Sequence, residues 1–339
     1  FKEQYYPSQL TKTKMLKTGI SNSEYHSGPE LSSSIARKII SSSPAHVKYG
    51  LDNPQPKTPA LAMGGCFHSL VLEPSKVESE FGEKPDQIDG NGPRTNAYKE
   101  AFAQMEAQYP DKQWLSASDY DVCCEWSESC FDQPVVSAYL AEVDAIIEGS
   151  GYFTMEGADC RIRPDYFLPD ADVVIDLKST QDGSKKGFAS SVRTYGYAQQ
   201  ACFYMEGLRM LGYSPKQFIF VAVEKKPPYV VSVYTLRGSD IDRHREDMRR
   251  ACQLWTQCKS SGIWPGYSDS VETLDLSNKF NSSSVTRTAS MFGVSRPYVY
   301  KIIEAFQLET RKIGNEVRVD MHEFANAMRW FNEGKKDEQ

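Results

Sequence analysis

Two acids and a lysine carry the chemistry that can be read from this chain. Arg163-Pro164-Asp165 precedes Asp176-Leu177-Lys178, with Asp165 and Asp176 eleven positions apart, a spacing that suits metal-dependent cleavage of a phosphodiester. Val173-Val174-Ile175-Asp176-Leu177-Lys178 is a β-branched apolar run ending in charge, and it predicts a buried strand. Strand side chains alternate, so Asp176 and Lys178 share one face while Leu177 turns into the core. Cys160 to Leu168 reads as a second strand, with Pro169-Asp170-Ala171-Asp172 as the turn between the two. Such a hairpin brings Asp165 beside Asp176. Adjacent carboxylates repel unless a cation separates them, and hard divalent ions such as Mg²⁺ take oxygen ligands. A lysine beside that ion can orient or deprotonate an attacking water and offset charge in the transition state. Taken alone, Asp-x-Lys equally describes an ordinary cross-strand ion pair, so the remaining segments decide.

Those segments agree with one another. Ile20-Ser21-Asn22-Ser23-Glu24-Tyr25-His26, Leu31-Ser32-Ser33-Ser34 and Ser43-Pro44-Ala45-His46 precede Met63-Gly64-Gly65-Cys66-Phe67-His68 and Leu72-Glu73-Pro74. Downstream, Tyr197-Ala198-Gln199-Gln200-Ala201-Cys202-Phe203-Tyr204 has the form Gln-x-x-x-Tyr at Gln200 and Tyr204. With the acidic hairpin, these motifs resemble the PD-(D/E)XK nuclease superfamily, and within it the phage-type exonucleases similar to RecE, the exodeoxyribonuclease VIII family. The resemblance runs over about residues 19 to 260.

It implies an α/β core with a mixed central sheet flanked by helices. It also implies that His68, Asp165, Asp176 and the Leu177 carbonyl hold the metal, that Lys178 is the catalytic lysine, and that Gln200 and Tyr204 support the site. A strand from Glu142 to Glu148 would precede the hairpin, with Glu148 as an additional acid or a solvated strand end. The implied activity is Mg²⁺-dependent, ATP-independent degradation of linear double-stranded DNA, with Mn²⁺ as substitute. It would run 5′ to 3′ and leave 3′ single strands for a phage annealing protein in recombination. Relatives form homo-oligomeric rings, and the cellular setting would be the cytoplasm of a bacterial host, for a phage or prophage protein. Gly-x-x-x-x-Gly-Lys-Ser/Thr does not occur, in keeping with ATP independence.

Each motif also has a plainer reading. A single histidine such as His68 is often a satisfied core or capping residue. Tyr197, Ala201, Tyr204 and Leu208 make a plausible packing stripe on the same helix that presents Gln200. Lys185-Lys186, Arg193, Arg209 and Lys225-Lys226 are candidates for a DNA channel or for a solvated face. Two alternatives share the motifs: a sequence-directed endonuclease, and a non-catalytic DNA-binding regulator on a nuclease scaffold.

Composition frames these readings. The chain has 339 residues, 40% hydrophobic and 25% charged, with a formal net charge of −6, enough for one large and one small domain. A DNA-binding protein of negative net charge must confine its positive potential to a local track. No run of eighteen apolar residues and no secretory signal is visible, so neither membrane nor export is expected. The start at Phe1 rather than Met suggests a fragment or a processed product. The eight cysteines lack Cys-x-x-Cys spacing, and only Cys252 and Cys258 follow the nuclease motifs. Neither a zinc site nor an iron–sulfur cluster is expected.

The domains are expected at 1–266 for the nuclease, 267–284 for a Ser-rich linker, and 285–339 for a small DNA-binding module. Val285 to Ile303 has the register of a helix-turn-helix, with Ala289 at the helix contact, Gly293 in the turn, Ser295 as N-cap, and Val299 and Ile302 inward. A hairpin turning at Gly314-Asn315 and a helix from Met321 to Phe331 would follow. Together these resemble winged excisionase-type DNA-binding domains. That resemblance implies DNA contacts from Ser295, Arg296, Tyr298, Tyr300 and Lys301, and from Arg311, Lys312 and Arg318 on the wing. A protein-contact role fits the nearly balanced charge as well.

Overall fold

The structure is a computed structural model that describes residues 16–54, 58–272, 282–308, 310–313, 316–321, 323–325 and 327–328. The chain divides into two compact units, Phe1–Tyr267 and Ser268–Gln339.

The strands of the first unit are β1 (Leu31–Ser32), β2 (Phe81–Glu83), β3 (Gln113–Leu115), β4 (Ile146–Ile147), β5 (Gly151–Met155), β6 (Ala158–Ile162), β7 (Tyr166–Leu168), β8 (Val173–Thr180), β9 (Gln217–Glu224) and β10 (Val231–Thr235). Five of them form a mixed sheet in the order β10-β9-β8-β7-β4. Only β8 and β9 run parallel in it. A second sheet has the order β1-β6-β5, and β2 pairs with β3. This is the expected α/β architecture of a mixed central sheet flanked by helices.

The apolar runs of β8 and β9 follow from burial on both faces. Val174, Phe218, Phe220 and Ala222 pack with Phe188, Ala201, Phe203 and Leu208 of the Lys185–Tyr195 and Tyr197–Met210 helices. On the opposite face Val173, Ile175, Leu177, Ile219 and Val221 pack with Phe67 and Trp126 of the Pro59–Leu72 and Ala117–Asp132 helices. Leu177 thus turns into the core as expected, and the face shared by Asp176 and Lys178 is covered as well. Asp176 and Lys178 also lie under helices, and Asp176 is fully buried.

Two strand expectations change. The segment Cys160–Leu168 is not one strand: β6 ends at Ile162 in the three-stranded sheet, and β7 begins at Tyr166 in the five-stranded one. Pro164 cannot donate to a ladder, and the Arg163 guanidinium instead bonds Ser150 Oγ at 2.9 Å, Asn22 Oδ1 at 3.1 Å and the Ile20 carbonyl at 3.0 Å. The strand expected from Glu142 to Glu148 shrinks to Ile146–Ile147, the pair that meets Phe167 and Tyr166. Glu148 itself leaves the ladder at φ 47°.

In the second unit β11 (Ser282–Ser284), β12 (Thr310–Ile313) and β13 (Glu316–Asp320) form a sheet in the order β11-β13-β12. The Val285–Phe292 helix ends at Gly293, left-handed at φ 64°, and Ser295 caps the Arg296–Ala305 helix by accepting from the Tyr298 N–H. Val285, Ala289, Val299, Ile302, Val319 and Phe324 form its own core. The linker read over 267–284 is corrected at its end, because Ser282–Ser284 pairs with β13. Serines can serve a ladder through their backbone alone. Residues 273–281, Gly314, Asn315 and 329–339 lie outside the described residues. Among the described residues no helix is long and apolar enough to cross a membrane.

Candidate active site

β8 carries Asp176 and Lys178 beneath the Tyr197–Met210 helix. Asp176 Oδ1 accepts from Gln200 Nε2 at 2.7 Å, and Oδ2 pairs with the Lys178 ammonium. Lys178 Nζ also lies 3.3 Å from the Leu177 carbonyl and 5.1 Å from the centre of the Tyr197 ring. The helix begins at Gly196, left-handed at φ 65°, directly after the preceding helix. Its close seat depends on Gly207, where a Cβ would stand 2.6 Å from the Phe153 ring.

From the opposite face comes the Pro59–Leu72 helix, opened by the Thr58 cap and by Pro59 in its first turn. It seats His68 with Nε2 3.1 Å from the Leu177 carbonyl. A carbonyl only accepts, so Nε2 carries the proton and Nδ1 presents a lone pair, 3.5 Å from Asp165 Oδ2. Asp165 Oδ2 takes the Leu177 N–H at 2.7 Å, and the Asp165 carbonyl takes the Glu148 N–H at 3.0 Å. One ligand atom from each of His68, Glu148 and Asp165 lies within 4.8 Å of the others.

The electrostatics sharpen this picture. Burial, then the Lys178 charge, lowers the His68 pKa to about 4, so the imidazole is neutral near pH 7. Burial raises Asp176 to about 6 despite Lys178. Burial also raises Asp165, and it lifts Glu148 well above the carboxylate range with help from Asp165. Desolvation opposes the Lys178 charge, but Asp176 and then Asp165 outweigh it, so its pKa is raised. An imidazole lone pair, the buried Asp165 carboxyl and the half-buried Glu148 carboxyl thus gather at one point, with the Asp176–Lys178 pair beside them. This donor set fits a hard divalent cation.

His68, Asp165, Asp176, Leu177, Lys178 and Gln200 therefore converge, and Glu148 joins them. Tyr204 sits one turn further on, packed near Phe218 at 6.4 Å between ring centres. Burial, then Tyr25, Asp176 and Asp165, holds its phenol neutral. Its ring packs against the core, and its phenol lies within electrostatic range of Asp176, Asp165 and Glu148. Tyr197, read from the sequence as a stripe residue, faces Lys178. Its spacing of three from Gln200 already placed both on one helix face. Arg163 had no assigned role, and it anchors the Ile20–Asn22 segment with its guanidinium 4.0 Å from the Tyr25 ring centre.

Of the basic candidates, Lys185 and Lys186 are exposed, and Lys225 and Lys226 begin the loop after β9. Hydrogen bonds from Gly183 N to Glu224 Oε1 (2.7 Å) and from Lys225 N to the Thr180 carbonyl (2.8 Å) draw these two pairs to one end of the sheet. Arg193 is exposed, whereas Arg209 pairs with Glu206 at 2.6 Å. In the second unit Ser295, Arg296, Tyr300, Lys301 and Lys312 are exposed. Tyr298 is half-buried against that unit's core, because its position one turn from Ile302 shares the inward face. Arg318 lies 3.9 Å from Glu316, and the Arg311 side chain is outside the described residues.

Comparison with known proteins places these features. A family model described as a PDDEXK-like domain of unknown function (DUF3799) matches residues 32–277. No curated protein matches the chain. Among solved structures, a protein of Eubacterium rectale provisionally named an exonuclease is similar at 12% identity and a TM-score of 0.51, over 77% of this chain and 97% of its own. A phage-related exonuclease of Haemophilus somnus 129PT gives 16% identity and a TM-score of 0.29, over 58% and 95% of the two chains.

Proposed function

The chain belongs to the PDDEXK-like family DUF3799, and from that premise we propose that it is a divalent-metal-dependent nuclease degrading linear double-stranded DNA from its ends. One observation carries the reading. The His68 lone pair faces Asp165 at 3.5 Å, with Glu148 beside them, and the Asp176–Lys178 pair stands next to that space. A structural scaffold has no need to gather two carboxyls and a neutral imidazole at one point.

His68, Glu148 and Asp165 would hold the ion, with Asp176 and the Leu177 carbonyl as adjacent oxygen donors. The ion would polarise a phosphoryl oxygen and offset charge on the departing group. Hydrolysis consumes one water, breaks the bond from phosphorus to a sugar oxygen, and leaves a phosphate and a hydroxyl. Lys178 retains its proton, so it serves as a donor that orients the water or binds a phosphoryl oxygen rather than as a base. Gln200 fixes the Asp176 carboxylate, which in turn fixes Lys178.

By the resemblance to RecE-type enzymes, the reading extends to Mg²⁺ with Mn²⁺ as substitute, no ATP, 5′ to 3′ polarity, and 3′ single strands for an annealing protein in phage-type recombination. It extends likewise to a ring-shaped homo-oligomer and to a bacterial host cytoplasm. We assign DNA contacts to the second unit through Ser295, Arg296, Tyr298, Tyr300, Lys301, Lys312 and Arg318, with Arg311 on the same strand as Lys312. The test compares linear and covalently closed circular duplex DNA with Mg²⁺, using the wild-type chain and Lys178→Ala. Loss of linear DNA alone, abolished in the variant, is the expected result. Nicking of circles would replace this reading with an endonuclease, and inertness toward both with a DNA-binding regulator.

A further inference from the structure

The two helices that cover the Asp176 face of the sheet meet head to tail at one glycine. The Lys185–Tyr195 helix ends where Gly196 adopts φ 65°, and the Tyr197–Met210 helix starts there with no side-chain cap. Helix C-termini leave carbonyls without partners, and a cation is the favoured group to meet them. Here the cation comes from elsewhere in the chain. Arg37, on the Ser33–Ser41 helix, donates Nη1 to the Tyr195 carbonyl and lies 3.4 Å from the Gly196 carbonyl. Its Nε bonds the Ser33 carbonyl of its own helix at 3.3 Å, which holds the fork in one orientation.

The Gly196 carbonyl also receives the Gln200 N–H at 3.1 Å. One residue past the glycine is Tyr197, whose ring faces Lys178 at 5.1 Å, and three further on is Gln200, which holds Asp176 at 2.7 Å. The junction therefore sets the origin from which both supporting side chains are placed. A Cβ on Gly196 would lie 3.2 Å from Arg37 Cδ and 2.4 Å from Gln199 Oε1, so the arginine stem and the bend fit closely. Among the described residues, the Arg37 guanidinium donates to backbone carbonyls. It is partly withdrawn from water, which lowers its pKa, while Tyr204, Asp176 and Tyr197 act in the opposite direction. Its charge thus sits within electrostatic reach of the site.

We infer that Arg37 is a positioning residue: its guanidinium, tied to the Tyr195 and Gly196 carbonyls, fixes the start of the Tyr197–Met210 helix so that Gln200 holds Asp176 and Tyr197 faces Lys178. This assignment rests on the nuclease reading for its catalytic consequence, and on the helix junction alone for its structural one. Arg37 touches none of the proposed metal ligands directly. A lysine at this position keeps the charge and part of the donor capacity, and a methionine keeps the stem without either.

The experiment uses the 339-residue chain with Arg37→Ala, Arg37→Met and Arg37→Lys, and reads two quantities. The first is amide hydrogen exchange over residues 192–204 in metal-free protein, which needs no activity. Faster exchange there in Arg37→Met, on the order of 10-fold, with little change elsewhere and partial recovery in Arg37→Lys, is expected. The second is cleavage of linear duplex DNA, where kcat should fall on the order of 10- to 100-fold in Arg37→Met at nearly constant KM, again with partial recovery in Arg37→Lys. Unchanged exchange over 192–204 overturns the assignment. So does a rise in KM at constant kcat, which would make Arg37 a DNA contact. Should Arg37→Ala fail to fold, the methionine and lysine variants carry the test. Inactive wild-type protein on every DNA would remove the nuclease reading while the exchange measurement still decides the role of Arg37.

Discussion

At the residue scale the chain places a base-poor, acid-rich pocket around a neutral histidine, and the protonation states follow from that crowding. Asp176 retains its proton up to about pH 6, above its ordinary range, because burial disfavours the anion. A carboxyl raised in this way makes the metal-free fold less stable as pH climbs from its unfolded pKa toward about 6. A divalent ion reverses the sign by requiring the anion. Mn²⁺ should therefore raise the melting temperature strongly at about pH 8 and little at about pH 5. Thermal unfolding with and without Mn²⁺ measures this, and Asp176→Asn should flatten the difference. His68 is already neutral above about pH 4, so its proton does not compete in that window. Lys178→Ala should cut DNA cleavage by on the order of 100- to 1000-fold, the scale of losing one aligned transition-state donor. Mn²⁺ stabilisation should persist in that variant, since the ligands remain, and a variant that lost both would contradict the donor role.

At the scale of elements, the helix junction and the doubly covered strands do the positioning. Gly196→Ala forces an L side chain into the left-handed region against Gln199 and the Arg37 stem, and it should cost about 1–2 kcal/mol of stability. Denaturant unfolding gives that number. Phe220 is fully buried in the core beneath the same helices, and Phe220→Ala should cost about 3–5 kcal/mol. Much of this level was legible beforehand. Val173 to Lys178 announced β8 because a strand buried on both faces must be almost wholly apolar, so the charges within it stood out. Gln200 and Tyr204 were readable as one helix face from their spacing. The end of β6 was not legible, because a run of alternating types across Arg163-Pro164-Asp165 does not reveal that its two halves join different sheets. Glu148 was visible only as an acid after a short strand, since its approach to Asp165 depends on a left-handed turn that sequence pattern does not encode. Arg37 carried no signal at all: the carbonyls it meets at the junction are 158 and 159 positions away, and backbone acceptors have no sequence signature.

At the scale of the whole molecule, each unit has its own core. Removing residues 268–339 should leave a folded protein that still degrades linear duplexes, with weaker DNA binding. Gel-shift and cleavage assays on the shortened chain measure both, and loss of folding would contradict the independence of the two cores. A net charge of −6 requires that positive potential be local, and the lysine pairs Lys185-Lys186 and Lys225-Lys226 follow strand ends at the same end of the central sheet. Replacing one pair by glutamine should lower the slope of log affinity against log salt by about 2, one unit per lost phosphate contact. An unchanged slope would move the DNA track to another surface.

Asp165 also has a mechanical meaning. It stands where the chain passes from β6 in one sheet to β7 in the other, and its side chain faces a histidine carried by a helix on a third element. An ion gripped there would join separate layers like a rivet, and shear between the sheets would have to stretch its bonds. The loaded protein should then be less compressible than the metal-free one, a stiffening that sound-velocity measurements in solution can register.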